Sequence, residues 1–315
     1  MNAHKLNIHL NARLNPGEHV LSMLSRHHML SGYRTFRDAI SPLSEDVRRQ
    51  YPTAVDRPVY RDLFNTLACD KDYESFLKSH TLLNWYSPFM PKHLLDLKSE
   101  TVLFPHFYNR FNATHEWRYC LSCMEQDSEK YGAPFYHLEH QLPLQSQCKI
   151  HNEKLYSGCS HCDISWKNID RLGLPSGKHC HFCEEQLTPV NHFMDEDMLW
   201  LQQTARKLLS SDSAPFNLEQ LQRAYQTAIG IQKTEKSFSQ AEAKKMNSFQ
   251  LELDNFFDPR LYHCIFNNCD TKNGNKRTSS LHLFQIAFHT DKFFAPIVHL
   301  LVIRMLFGEI ENIPS

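Results

Sequence analysis

The sequence predicts a mainly α-helical protein, with helical N-terminal and C-terminal parts around a small, β-rich, metal-binding module. Three observations lead there. Outside residues 115–190, apolar side chains recur at steps of three and four, the period of one helix face. Inside that span, cysteines and one histidine fall into four pairs, each with two residues between its members. The same span is rich in aromatics (Trp117, Tyr119, Phe135, Tyr136), which favour short strands around metal-holding turns.

In chain order, Asn15-Pro16-Gly17-Glu18 reads as a helix start. Val20, Leu21, Leu24, His27 and His28 follow at helical spacing, and Gly32 ends the run. A second helix is expected over 34–51 after Tyr33, and one or two more over 58–80 with Leu63, Leu67, Phe76 and Leu77 inward. Pro88, Pro91 and Pro105 break the next stretch into short helices and loops. Beyond the cysteine span, Asp195-Glu196-Asp197 opens a helix with Met198, Leu201, Ala205 and Leu208 on its apolar stripe. Acidic residues there complement the helix dipole. Leu218, Leu221, Tyr225 and Ala228 mark the next helix, and Met246, Phe249 and Leu253 another over 239–254. Leu281 to Phe307 reads as two core helices around Pro296. The expected domains are 1–112, 113–192 and 193–315.

The cysteine pattern carries the chemistry. Seven of the ten cysteines, with His151, form Cys120/Cys123, Cys148/His151, Cys159/Cys162 and Cys180/Cys183. A two-residue gap lets a tight turn aim both ligands at one cation, and two such turns close a tetrahedron. Eight ligands make two closed zinc knuckle sites, structural rather than catalytic because no position is left for water. His161, His179 and His181 flank the second set, and His137 and His140 lie between the halves of the first. All five are expected to pack or hydrogen-bond rather than ligate, and Cys69, Cys264 and Cys269 to be ordinary packing residues. The seven-residue gap between His151 and Cys159 favours sequential quartets over a cross-braced arrangement.

Charge sets a second bound. With 34 basic and 35 acidic residues in 315, the chain cannot hold nucleic acid by bulk charge. Local patches are the candidates. Residues 1–50 carry an excess of three basic side chains, among them Arg34, Arg37, Arg48 and Arg49. Lys272, Lys276 and Arg277 cluster in a six-residue Asn-rich loop suited to phosphate contact. The cysteine span itself carries ten acidic residues against eight basic ones over 110–190, and its metal-bound thiolates deepen that balance. The apolar run Phe293–Phe307 is too short and too polar to span a bilayer, and the first ten residues do not form a secretion signal. A cytoplasmic protein is therefore expected. No catalytic motif is present. Gly173 to His179 imitates a phosphate loop but has three residues between its glycines and His where Ser or Thr would hold magnesium.

Around the first pair the residues become recognisable. Arg118-Tyr119-Cys120-Leu-Ser-Cys123 is followed by Tyr131-Gly132, Phe135-Tyr136, Leu142-Pro143 and Cys148-Lys-Ile-His151. This block resembles the TniQ/TnsD family of transposition target-selection proteins. Pro16-Gly17-Glu18 with Leu21, Ser22 and Arg26 is similar to that family's first helix. His80-Thr81-Leu82 with Tyr86, Pro88 and Phe89 resembles a block of TnsD-type members, and His289 to Phe307 a later helical segment. Lys149 stands where the family has Pro, and Asn152 where it usually has Gly. The resemblance implies a non-catalytic adaptor in a bacterial cell, nucleoid-associated when bound to DNA. Such an adaptor binds target DNA and recruits an AAA+ transposition regulator of the TnsC kind. The alternative within the family bridges a CRISPR effector to the transposition machinery. More remote are a RING-type ubiquitin ligase, which shares the ligand order, and a generic zinc-stabilised interaction protein.

Overall fold

The computed structural model describes residues 13–46, 51–67, 72–95, 116–162, 166–231, 239–266 and 281–314. They fall into two compact units. The first gathers the residues up to Leu83 and those from Glu116 to His192; the second gathers Asn84 to Leu95 and the residues from Phe193 onward.

The first unit begins with α1, Val20–Ser31. Its cap is unusual: His19 Nδ1 accepts the Leu21 amide proton at 3.0 Å. The other ring nitrogen, Nε2, donates to the Pro52 carbonyl at 2.9 Å. A single neutral tautomer satisfies both bonds, and burial holds the imidazole pKa down at about 3. Gly32, in the left-handed region, stops the helix. The expected second helix is much shorter than 34–51. It is α2, Phe36–Ile40, capped by Thr35, and Pro42 follows its end. Proline cannot donate a helical hydrogen bond and its ring clashes with the preceding turn, so the chain turns there instead. α3 (Pro58–Leu67) and α4 (Tyr73–His80) complete the N-terminal helices.

These helices and the cysteine span share one core. The His19 amide donates to the Tyr136 carbonyl at 3.1 Å, and the Leu138 amide to the Gly17 carbonyl at 2.8 Å. Ser22 Oγ accepts the Tyr136 amide proton at 2.8 Å. The His19 ring meets Trp117 edge-on at 4.9 Å between centroids, and Trp117 packs on Tyr136 at 5.1 Å.

The β-rich module expected around the knuckles does not form. The described residues of the span make isolated bridges only, such as Tyr119 with Tyr156 and His179 with Gln186. The first cysteine pair instead opens a helix, α6 (Leu121–Tyr131). α7 (Ile169–Leu172) is a single turn before the last pair. Closing a knuckle consumes the backbone hydrogen bonds of its own loop, so too few groups remain in register to build a ladder.

The second unit is helical: α5 (Leu83–Tyr86, which begins at the boundary), α8 (Glu196–Ser210), α9 (Leu218–Ile229), α10 (Gln240–Phe256), α11 (Pro259–Ile265), α12 (Leu283–Phe288) and α13 (Pro296–Phe307). Pro296 sits at the first position of α13, where the missing N–H costs nothing. Asp195 caps α8 by accepting the Met198 amide proton at 2.7 Å. Arg304 binds Asp197 at 2.9 Å and Glu196 at 3.1 Å. That acidic start serves the helix and an ion-pair cluster. Buried glutamines tie α12 in place: Gln222 donates to the Ile286 carbonyl at 3.0 Å, and Gln250 both donates to Leu281 and accepts from the Leu283 amide. No helix among the described residues is long and apolar enough to cross a membrane.

Candidate metal centres

Each quartet is built from two kinds of turn. In the first, Cys120 occupies the cap position of α6 and Cys123 its third residue, so both sulfurs meet at the positive end of the helix dipole. The other half is a tight hairpin. The Cys148 amide donates to the Glu153 carbonyl at 2.8 Å, the Asn152 amide to Cys148 at 3.0 Å, and the Leu155 amide to Ser146 at 2.9 Å. Asn152 takes φ 56°, in the left-handed region. Asparagine tolerates that region better than other non-glycine residues, which explains its standing in for glycine here.

The second quartet repeats this hairpin. The Cys180 amide donates to Glu185 at 2.9 Å, the Glu184 amide to Cys180 at 2.9 Å, and the Leu187 amide to Lys178 at 2.7 Å. Glu184 takes the same left-handed role with φ 63°. Residues 146–155 and 178–187 are thus one structural unit used twice, with Cys148 matching Cys180 and His151 matching Cys183.

The ligand atoms converge on tetrahedra. His151 Nδ1 lies 3.4 Å from Cys120 Sγ, 3.3 Å from Cys123 Sγ and 3.7 Å from Cys148 Sγ, and the Cys123 and Cys148 sulfurs are 3.6 Å apart. In the second quartet Cys159 and Cys183 are 3.6 Å apart, and Cys162 and Cys180 3.7 Å. Bonds of ~2.0–2.3 Å to a central ion give tetrahedral edges of roughly 3.5–3.8 Å, whereas a disulfide would need ~2.05 Å. Two metal ions fit. The quartets are sequential, Cys120/Cys123/Cys148/His151 and Cys159/Cys162/Cys180/Cys183. The cross-braced pairing that the RING reading requires is absent.

The thiols of each quartet compete for charge. With thiols alone the sulfurs cannot all ionise. Hydrogen bonds from the Cys120 and Cys123 thiols hold Cys148 well below the usual thiol range, while contacts with Cys120 and then Cys148 push Cys123 far above it. Amide N–H groups of Cys162 and His161 help bring Cys159 down to about 6. A divalent cation removes the mutual repulsion and lets every sulfur bind as thiolate. The first quartet is the more enclosed: Cys120, Cys123 and Cys148 pack with Leu155 and Val190. In the second, Cys162 and Cys183 are half-buried.

Arg118, which sequence reasoning carried only as part of a motif, has a definite task. Its guanidinium is buried and donates to the carbonyls of Gln145 (3.1 Å), Gln141 (3.1 Å) and Leu142 (2.9 Å). Burial lowers its pKa to about 10, against the opposing pull of Glu116. It stands two residues before Cys120 and clamps the segment that leads into Cys148. A second motif, Pro16-Gly17-Glu18 with Arg26, also becomes physical: Glu18 and Arg26 form a buried ion pair at 2.9 Å. His80 Nδ1 donates to the Glu18 carbonyl at 2.9 Å, and Thr81 is buried with its hydroxyl on Leu77 O, so this block is internal to the fold.

The flanking histidines stay outside both quartets. His137 bonds Asp127 at 2.7 Å, His140 is buried, His181 meets Ser176, and His161 and His179 are exposed. Cys264 lies on α11, while Cys69 and Cys269 fall outside the described residues. The imitation phosphate loop is packed away: Gly173 O accepts from Ser25 Oγ at 2.9 Å and Gly177 O from the Tyr119 hydroxyl at 2.6 Å. Of the candidate DNA-contacting residues, Arg34 is exposed just before α2 and Arg37 is exposed on it, whereas Arg48, Arg49, Lys272, Lys276 and Arg277 lie outside the described residues.

The TniQ family model matches residues 10–155, a span that takes in α1 to α6 and ends just past the first quartet. No curated protein matches the chain.

Proposed function

With a TniQ domain over residues 10–155, this chain is a TniQ/TnsD-family protein, and we propose that it selects target sites for DNA transposition as a non-catalytic adaptor. In this reading it binds target DNA and recruits an AAA+ regulator of the transposase. The observation that carries it is the family span itself, whose motif residues occupy the Glu18–Arg26 pair, the Arg118 clamp and the first metal quartet. Zinc is the ion we assign to both centres. Three thiolates with one imidazole, or four thiolates, in a closed tetrahedron suit a d¹⁰ ion without redox chemistry. The zinc ions supply rigidity: one fixes the 146–155 hairpin against α6, the other fixes the 178–187 hairpin against the Cys159–Cys162 turn, and neither leaves an open coordination position.

Exposed Arg34 and Arg37, together with Arg48, Arg49, Lys272, Lys276 and Arg277, are the proposed phosphate contacts. The test is duplex binding by fluorescence anisotropy across a salt series, with the purified AAA+ regulator assayed in parallel. Wild type is expected to bind both. Arg34→Ala/Arg37→Ala should weaken every duplex alike and flatten the slope of log K against log salt by about 0.9 for each arginine that meets a phosphate. Regulator binding with no DNA binding at low salt would transfer targeting to a guide-RNA effector. Failure to bind the regulator, with or without DNA binding, would overturn the adaptor reading.

A further inference from the structure

The last turn of α1 and the residues after it expose Met29 (54%), Leu30 (51%) and Tyr33 (43%). Three large apolar side chains are thus exposed within five residues, whereas the helix immediately before them, Val20 to Arg26, is buried. Isolated exposed apolar residues need no explanation, but a rimmed cluster marks an interaction surface. The patch is held rigidly on two sides. Ser25 Oγ bonds the Gly173 carbonyl, and Gly173 lies so close to Met29 that a Cβ there would stand 3.4 Å from its sulfur. His28 packs edge-on against Phe36 of α2 at 5.9 Å. The metal-bearing segment and α2 therefore frame the patch.

The frame is basic. Residues 27–38 and 166–174 expose Arg34, Arg37, Lys167 and Arg171 against Asp38 and Asp170. An apolar centre of Met, Leu and Tyr within an arginine-bearing rim has the anatomy of a protein interface, with residue types that act as anchors in such surfaces. The patch also sits at the carbonyl end of α1, where the helix dipole repels phosphate. We propose that Met29, Leu30 and Tyr33, rimmed by Arg34 and Arg171, dock a partner-protein segment whose apolar side chains are flanked by acidic ones. This rests on the adaptor reading, under which that partner is the AAA+ regulator. Because Arg34 and Arg37 also serve the proposed phosphate contacts, partner and DNA would meet the chain side by side.

The test uses the full, zinc-loaded chain and the purified ATP-bound regulator. Met29→Ser/Leu30→Ser/Tyr33→Ser should bind the regulator at least about tenfold more weakly. Its melting temperature, metal content and duplex affinity should match wild type, because none of the three side chains belongs to the buried stretch of α1 or to either quartet. Arg171→Glu should weaken the same complex and reduce its salt sensitivity. A triple variant that binds the regulator as wild type does would overturn the docking surface while leaving the adaptor reading intact. Loss of duplex affinity with regulator binding retained would assign the patch to nucleic acid instead and overturn it equally. A wild-type chain that binds no regulator would bring down the adaptor reading itself, and the docking surface with it.

Discussion

His299 shows how a single buried group sets pH behaviour. It is fully enclosed on α13, stacked on Phe89 at 5.1 Å and on Tyr225 at 6.1 Å between centroids, and burial lowers its pKa to about 3. The unfolded chain takes up a proton near the ordinary histidine value of 6.5 that the fold refuses. Stability is therefore complete above about pH 6.5 and falls as pH drops toward 3, by roughly 1.4 kcal/mol per unit. His299→Leu should lose less stability between pH 6 and pH 4 than wild type. Denaturant melts at the two pH values, read by circular dichroism, check this; equal losses would refute it. His19 obeys the same sign in the first unit, but its cap bond makes substitution there ambiguous.

At the scale of elements, the doubled hairpin invites a comparison between its copies. Asn152 and Glu184 occupy the same left-handed corner, and only the first is a residue type suited to it. Glu184→Gly should stabilise the metal-loaded protein by about 1 kcal/mol and raise the melting temperature of the first unit, provided both metals stay bound. An unchanged or lower melting temperature would contradict the strain. Which elements are legible in the sequence follows from how local their causes are. α1, α8 and α13 announce themselves through Gly32, Asp195 and Pro296, and the ligand quartets through pair spacing, because each cause lies within a few residues. α2 runs long on paper because apolar spacing outweighs Pro42. α11 escapes the reading although Asp258-Pro259 is a cap followed by proline, its seven residues being too few to show a period. The His19 cap and the Arg118 clamp depend on partners 20 to 30 or more residues away, which no window of sequence displays.

At the scale of the whole molecule, both quartets belong to the first unit and none of the second unit's described elements carries a ligand. Atomic absorption should find two zinc ions per chain. Cys180→Ser should leave about one, since the quartets are separate. Stripping both with a strong chelator should abolish the near-ultraviolet signal of Trp117, Tyr136 and their neighbours. The helices of the second unit should keep their far-ultraviolet signal. One zinc in the wild type, none in the Cys180→Ser protein, or complete loss of helix on chelation would each contradict this division.

The hydrogen bonds that join Gly17, His19 and Ser22 to Tyr136 and Leu138 also bear on how the gene can be cut. A fragment starting near residue 113 would keep every zinc ligand yet leave the indole of Trp117 and the ring of Tyr136 uncovered. The smallest truncation worth expressing begins upstream of Asn15, however self-contained the cysteine block looks on paper.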